Sequence, residues 1–214
     1  MYIDAHAIVL SSQPLGEYDA LVRVLSLEHG LLNLILRGVR RGQSRLKILK
    51  EPGIYARLHC WARPDVSALP QLLTGRTIEI FDGLRRDFAL FESMLGLLRF
   101  GEMFLTPYDT RSEEKFLLLL ETLSRLTCGG CQEAAWPALG FKLKMLELSG
   151  WRFSSSEPAR GFLDAKMRAI CGSLERGVFP ADEPAPPEAA LRLLDGYAQG
   201  LSGIRYGHNT AHVS

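Results

Sequence analysis

Residues 30–62 read GLLNLILRGVRRGQSRLKILKEPGIYARLHCWA, two strand-like runs joined by a cationic connection. In the first run Leu32, Leu34 and Leu36 fall on one side of an extended chain and Asn33 and Arg37 on the other, which predicts a strand with one buried face. After Pro52 and Gly53, Ile54, Ala56, Leu58 and Cys60 alternate with Tyr55, Arg57, His59 and Trp61. The second set is aromatic and cationic together. Proteins that hold single strands use that combination, stacking bases on rings and tracking phosphates with Arg or Lys. The same pattern also suits a sheet face covered by a helix, with Tyr55 and Trp61 as packing residues.

The connection carries Arg37, Arg40, Arg41, Arg45, Lys47 and Lys50 with no carboxylate among them. Dense fixed negative charge attracts such a cluster, and binding releases condensed counterions, so a phosphate backbone is the natural partner. A solvated loop whose charge aids solubility is the other reading of the same run.

Upstream, Ile3 to Leu10 and Leu21 to Leu27 are rich in aliphatic residues and flank SSQPLGEYD, whose Pro14, Gly16 and Asp19 are turn formers. The EHG of residues 28–30 then makes a tight turn into the third strand. Downstream, Pro64, Asp65 and Pro70 interrupt the chain before a fifth strand at Leu72 to Ile80. Five short strands within about 80 residues predict a small closed barrel of the oligonucleotide-binding (OB) type.

At Phe81 the period lengthens. Phe88, Phe91, Leu95 and Leu98 recur at helical spacing, with Asp82 or Asp87 placed to cap the start. Thr110 with Glu113 resembles a capping box before the stripe Phe116, Leu119, Leu120, Leu123 and Leu126, which ends near Gly129. A third helix is predicted from about Gln132 to Ser149 with Gly150 as its C-terminal cap, and it carries Lys142 and Lys144 as a candidate basic spot. Weaker helices follow at Leu163 to Leu174 and Pro187 to Leu201, separated by the Pro-rich FPADEPAPP. The fold class is therefore α+β: a nucleic-acid-binding OB-fold β-barrel over residues 1–80, then an α-helical domain over 81–214.

The 214 residues carry a net charge of only +1, so any binding of nucleic acid rests on segregation of charge and not on excess. Residues 1–80 hold ten Lys or Arg against seven Asp or Glu. No apolar run reaches the roughly 20 residues needed to span a bilayer, and the start MYIDAHAIVL lacks a basic region ahead of an apolar one, so the expectation is a cytosolic protein without membrane contact. Cys60, Cys128, Cys131 and Cys171 form no disulfide framework.

Cys128-Gly-Gly-Cys131 has the spacing of a metal knuckle or a redox pair, but no second pair of ligands and no βαβ context accompany it, and a helix-end turn is the simpler reading. The sequence contains no GxxxxGK[ST], GxSxG, HExxH or GxGxxG, and its five histidines show no ligand spacing. No reaction, cofactor or metal is assigned.

The AIVL of residues 7–10, PLGEYDALVRVLSLEHG (14–30) and RGVRRGQSRLK (37–47) with Pro52 resemble, in that order, the amino-terminal domain of the bacterial recombination-mediator and DNA-repair family RecO. GFKLKMLELSGW (140–151) resembles a helix of that family that ends in Gly followed by an aromatic residue, and DGYAQGLSGI (195–204) its last helix. The resemblance implies a non-enzymatic protein of the bacterial cytoplasm and nucleoid that binds single- and double-stranded DNA and anneals strands. With RecR it would help the RecA recombinase replace the single-strand-binding protein. By position the family's DNA-contacting loop falls on Arg37, Arg40, Arg41, Arg45 and Lys47. Many members carry four zinc-binding cysteines after the Gly-aromatic motif, whereas this chain has only Cys171 there, so the resemblance implies no zinc site. Basic residues that can dock the tail of the single-strand-binding protein are replaced by Leu139 and Gly140, leaving Lys142 and Lys144 as substitutes. Beside this stands a reading from another class, a protein-interaction module that touches DNA weakly or not at all. A third, an enzyme with a CxxC metal site, requires stoichiometric zinc.

Overall fold

Strand β1 (Tyr2–Leu15) pairs antiparallel with β2 (Asp19–Ser26) and, along its first half, with β4 (Tyr55–Trp61). Strand β3 (Gly30–Leu36) continues the hairpin from β2, and β5 (Gln71–Glu79) runs antiparallel to β4 and meets β3 in parallel at Ile35 and Gln71. The ring order β1-β2-β3-β5-β4 closes the barrel in the arrangement expected for an OB-like fold. The computed structural model describes residues 1–62, 69–107, 109–177, 186 and 188–207, with side chains for all of these except 129–133 and 202–207. The turn expected at Pro64 and Asp65, the Cys131 side chain, the Pro-rich stretch apart from Pro186, and His208 and His212 lie outside the described residues.

The period of two sorts the side chains as sequence reading predicts. Leu32, Leu34 and Leu36 from β3 and Ala56, Leu58 and Cys60 from β4 enter one buried cluster with Val9, Val22 and Val24. β1 outruns the expectation, because SSQPL continues as strand to Leu15, where Pro14 sits opposite Ala20 and Leu15 opposite Asp19. Pairing with β2 overrides the turn propensity of Pro14, and the reversal shrinks to Gly16, Glu17 and Tyr18, with Gly16 at φ +63.

Helices α1 (Asp82–Arg86), α2 (Phe88–Glu102) and α3 (Ser112–Glu133) follow. The Asp87 carboxylate caps α2 by accepting from Ala89 N at 2.8 Å and Leu90 N at 3.1 Å. Ahead of α3 the carboxylate that accepts is that of Asp109, from Arg111 N at 2.9 Å, one residue before the Thr110 expected to do so. The described chain falls into two compact units, Met1–Cys131 and Gln132–Ser214, so the first helices belong with the barrel.

Within the first unit the segment before α3 lies directly on the barrel. Leu31 N donates to Thr106 O at 3.2 Å, and Ser112 Oγ donates to Leu27 O at 3.2 Å. Gly30 makes the approach possible: at φ +69, a Cβ there would stand 2.8 Å from Thr106 O and 3.0 Å from Asp109 N.

In the second unit α4 (Ala135–Leu148) buries Leu139, Phe141, Leu143, Met145 and Leu146, and ends at Gly150 with φ +90. Trp151 N returns to Leu146 O at 2.9 Å, the bond that closes such a left-handed cap. Helices α5 (Glu157–Phe162), α6 (Ala165–Glu175) and α7 (Glu188–Gly207) complete it, and α4 packs against α6. No helix among the described residues is long and apolar enough to cross a membrane.

Replacing Gly30 by Ala is expected to lower the free energy of unfolding by about 2 kcal/mol or more, because the left-handed backbone and the clash with Thr106 O add. Gly96→Ala, in the exposed interior of α2 with nothing within 4 Å, should raise it by about 0.5–1 kcal/mol. Urea unfolding of both variants checks the opposite signs.

Candidate nucleic-acid interface

The cationic connection between β3 and β4 is a folded loop with its apolar residues turned inward. Val39 and Leu49 are buried in the barrel cluster, and Leu46 packs against it. Leu49 fits because β5 presents Gly75, where a Cβ would lie 2.6 Å from Leu49 Cδ1. A 3₁₀ turn over Lys47–Lys50 closes the loop. At its start Gly38, at φ +63, donates its N–H to Asp19 Oδ1 at 2.7 Å, which ties the loop to the β1–β2 hairpin.

The cations face out. Arg37, Arg40, Arg41, Arg45 and Lys47 are exposed and Lys50 is half-buried. Arg40 is strapped to the hairpin turn, its backbone N donating to Tyr18 O at 2.9 Å and its Nη1 to Gly16 O at 3.0 Å. The Arg41 guanidinium lies 4.9 Å from the centre of the Tyr18 ring. Neither contact neutralises charge. Among the described residues the side chains of Arg37, Arg45 and Lys47 make no ion pair, and only Lys50 has a carboxylate, Glu51 Oε1 at 2.7 Å. Arg40, Lys47 and Lys50 meet Ser12, Pro14 and Ala20 around a pocket of about 290 Å³ whose lining contains no acid. Arg37, Arg41 and Arg45 are not brought into that pocket.

The outer face of β4 splits in two. At one end Tyr55 is half-buried, its ring edge-on to Phe116 of α3 at 5.6 Å between centroids, so packing occupies it. At the other end the face is open. Arg57 is exposed and pairs in register with the exposed Arg76 of β5, and His59 stacks on Tyr2 of β1 at 5.4 Å and 11°. Trp61, half-exposed, lies beside Tyr2 across the β1–β4 ladder. Arg76 and Tyr2 are the members that sequence reading missed. Their signal is the strand register, which bulges between Tyr55 and Ala56 and between His59 and Cys60 shift away from simple counting.

Two acids near this face are already engaged. Asp4 Oδ1 is 3.1 Å from His59 Nδ1. Burial pushes the Glu28 carboxyl up, but hydrogen bonds from the His6 ring, from backbone N–H groups and from Ser26 outweigh it and hold the group below its ordinary value. The bonds from His6 N and Nδ1 and from Ser26 Oγ span 3.0–3.2 Å.

The two lysines of α4 stand in the second unit and are paired there. Lys142 Nζ is 2.6 Å from Asp195 Oδ1, and Lys144 Nζ donates to Glu175 O at 3.1 Å and lies 2.9 Å from Glu147 Oε2. Two of the thiols are held protonated: burial, aided by Asp4, pushes Cys60 up to about 12, and burial, aided by Glu175, pushes Cys171 up to about 11. Cys128 is exposed and lies inside α3 rather than in a turn.

Residues 1–81 match the family model described as recombination protein O N terminal. Over 123 residues the chain is 33% identical to the DNA repair protein RecO of Thermodesulfovibrio yellowstonii, covering 58% of this chain and 48% of that one. It is 28% identical over 206 residues to the protein of that name from Streptomyces griseus, covering 90% and 81%. With that of a Synechococcus strain it shares 30% over 151 residues, 67% and 53% of the two chains. Its matches thus span about half the length of two of these relatives and about four-fifths of the third.

Because the folded carboxyl of Glu28 lies below 4.5, its contribution to stability is present above that pH and lost as pH falls through the folded value. Glu28→Gln should therefore lower the thermal midpoint at pH 7, and the gap from the parent should close on acidification below about 4.5, as melts across that range would read.

Proposed function

We propose, from the premise that the chain belongs to the RecO family, that it is a non-enzymatic DNA-binding mediator of recombinational repair. Residues 1–80 form the nucleic-acid-binding domain and residues 81–214 the helical domain that receives protein partners. It holds single- and double-stranded DNA, brings complementary strands together, and works with RecR to help RecA displace the single-strand-binding protein in the bacterial cytoplasm. One observation carries this reading: a loop pinned to a closed barrel by Val39, Leu46 and Leu49 presents Arg37, Arg40, Arg41, Arg45 and Lys47 with no carboxylate paired to them among the described residues.

The mechanism is charge neutralisation. Each phosphate bound releases condensed counterions, and a strand whose charge is partly cancelled repels a second strand less, so the two can pair. Pre-folding of the loop lowers the entropy lost when the strand docks. Lys50 can reach a phosphate only by leaving Glu51, and so contributes less than its neighbours. Arg57 and Trp61 add a cationic and an aromatic side chain on the outer face of β4, while Tyr55 serves by fixing α3 on that strand. Docking of an acidic partner tail on Lys142 and Lys144 requires displacement of Asp195 and Glu147, so this contact is weak or placed elsewhere.

The triple replacement Arg40→Ala, Arg41→Ala and Arg45→Ala is expected to weaken binding of oligonucleotides of any sequence. The slope of log K against log salt should become shallower by about 0.7–0.9 for each phosphate that the loop no longer neutralises. Fluorescence anisotropy of labelled single strands and duplexes at several salt concentrations measures both, and an unchanged slope would rule the loop out.

A further inference from the structure

We infer that the outer face of β1, β4 and β5 is a second nucleic-acid site, separate from the cationic loop, that takes an unpaired strand with a base on the Tyr2–His59 stack and phosphate between Arg57 and Arg76. The inference rests on the DNA-binding reading above and adds to it a place and a preference.

Arg57 and Arg76 are directly opposed on neighbouring antiparallel strands. Like charges in that position repel and destabilise the sheet, and ordinary sheet faces set an acid against a base there. Here both guanidinium groups are exposed, and among the described residues neither has a carboxylate or any other hydrogen-bond partner. The nearby acids make their contacts with other groups, Asp4 with His59, and Glu28 with His6 and Ser26. Glu79 is held by Ile80 N and Phe81 N, each at 2.9 Å. An anion seated between the two arginines removes the repulsion. A phosphate supplies the charge, and the planar fork of arginine matches its oxygens.

The rings beside that pair select the form of the polymer. Tyr2 is 66% exposed, and its ring lies within 11° of parallel to that of His59 at 5.4 Å. A base can extend this stack only if it is free of its own helix, because duplex bases already stack on each other. The contact of its Nδ1 with Asp4 Oδ1 at 3.1 Å fixes the His59 ring, and pairing of Tyr2 with Trp61 in the ladder puts a third ring at the same end. The order along the face is thus rings, then arginines.

The distance to the loop makes the sites separate. Arg57 pairs with His6, whereas Arg40, Lys47 and Lys50 of the loop meet Ser12 and Pro14 of the same strand. The two places are six to eight positions apart on β1, at most roughly 20–26 Å of extended strand at about 3.3 Å per residue. One chain can therefore hold a strand at the loop while it holds another at the face, the arrangement that strand pairing needs.

The test is anisotropy of the full chain with labelled oligothymidine and with a duplex of equal length, over several salt concentrations. The double variant Arg57→Gln with Arg76→Gln should reduce the single-strand salt slope by about 0.7, for the one phosphate seated between the two arginines, and leave the duplex slope unchanged. Tyr2→Ala should weaken single-strand binding about tenfold with no change of slope, because a stacking contact releases no ions. Without DNA the double variant should melt no lower than the parent, which separates lost binding from lost folding. An unaltered single-strand slope overturns the inference even when Arg40→Ala, Arg41→Ala and Arg45→Ala flatten both slopes, and an equal loss on the duplex overturns the preference for unpaired strands. If only the loop variant fails to act, the loop assignment falls and the face stands.

Discussion

A buried lysine ties α3 to the segment between α2 and α3 that lies on the barrel. Lys115 is 3% exposed, with its Nζ 2.7 Å from Asp109 Oδ2 and 3.1 Å from Phe104 O. Removing one partner of such a pair strands a charge and costs about 3–5 kcal/mol. The pair fixes the segment that lies on Gly30, where Thr106 O accepts from Leu31 N, and so it sets where α3 runs. Phe116, one residue on from Lys115, then covers Tyr55 on the outside of β4. The line between the covered and open ends of that strand follows from this contact: Tyr55 is taken into packing, and Arg57, His59 and Trp61 face outward beyond it.

The loop shows a different division of labour. Its apolar residues supply the order, and its cations are left for other work. Val39, Leu46 and Leu49 bind it to the barrel, and the small residue at Gly75 gives Leu49 room. Asp19 accepts from a backbone N–H of the loop rather than from an arginine, so it ties up none of the loop's guanidinium groups. A chain of net charge +1 can in this way carry a concentrated cationic surface.

In the second unit cations are treated in the opposite way. Lys142 and Lys144 end in ion pairs with Asp195 and Glu147. Glu175 is 6% exposed and accepts from Ser154 N at 2.9 Å and Ser154 Oγ at 2.5 Å, which ties the turn after α4 to the end of α6. These charges order the helices. A basic residue in a sequence is thus an available charge only where no acid is folded against it.

The aliphatic runs at residues 3–10, 21–27 and 72–80, the apolar stripe of residues 32–36, the alternation in residues 54–61 and the cations of residues 37–50 were enough to specify a five-stranded barrel with a basic loop, because inward and outward positions in a strand differ by one residue and burial acts on each locally. Helix caps at Asp87 and Gly150 were legible for the same reason, since each acts within one turn. The opposition of Arg57 and Arg76, the Tyr2–His59 stack, the cover on Tyr55 and the pairing of Lys142 with Asp195 were decided only by tertiary structure. Each depends on register or contact between segments far apart in the chain, and bulges, long-range ion pairs and helix docking set those distances without a mark in local sequence.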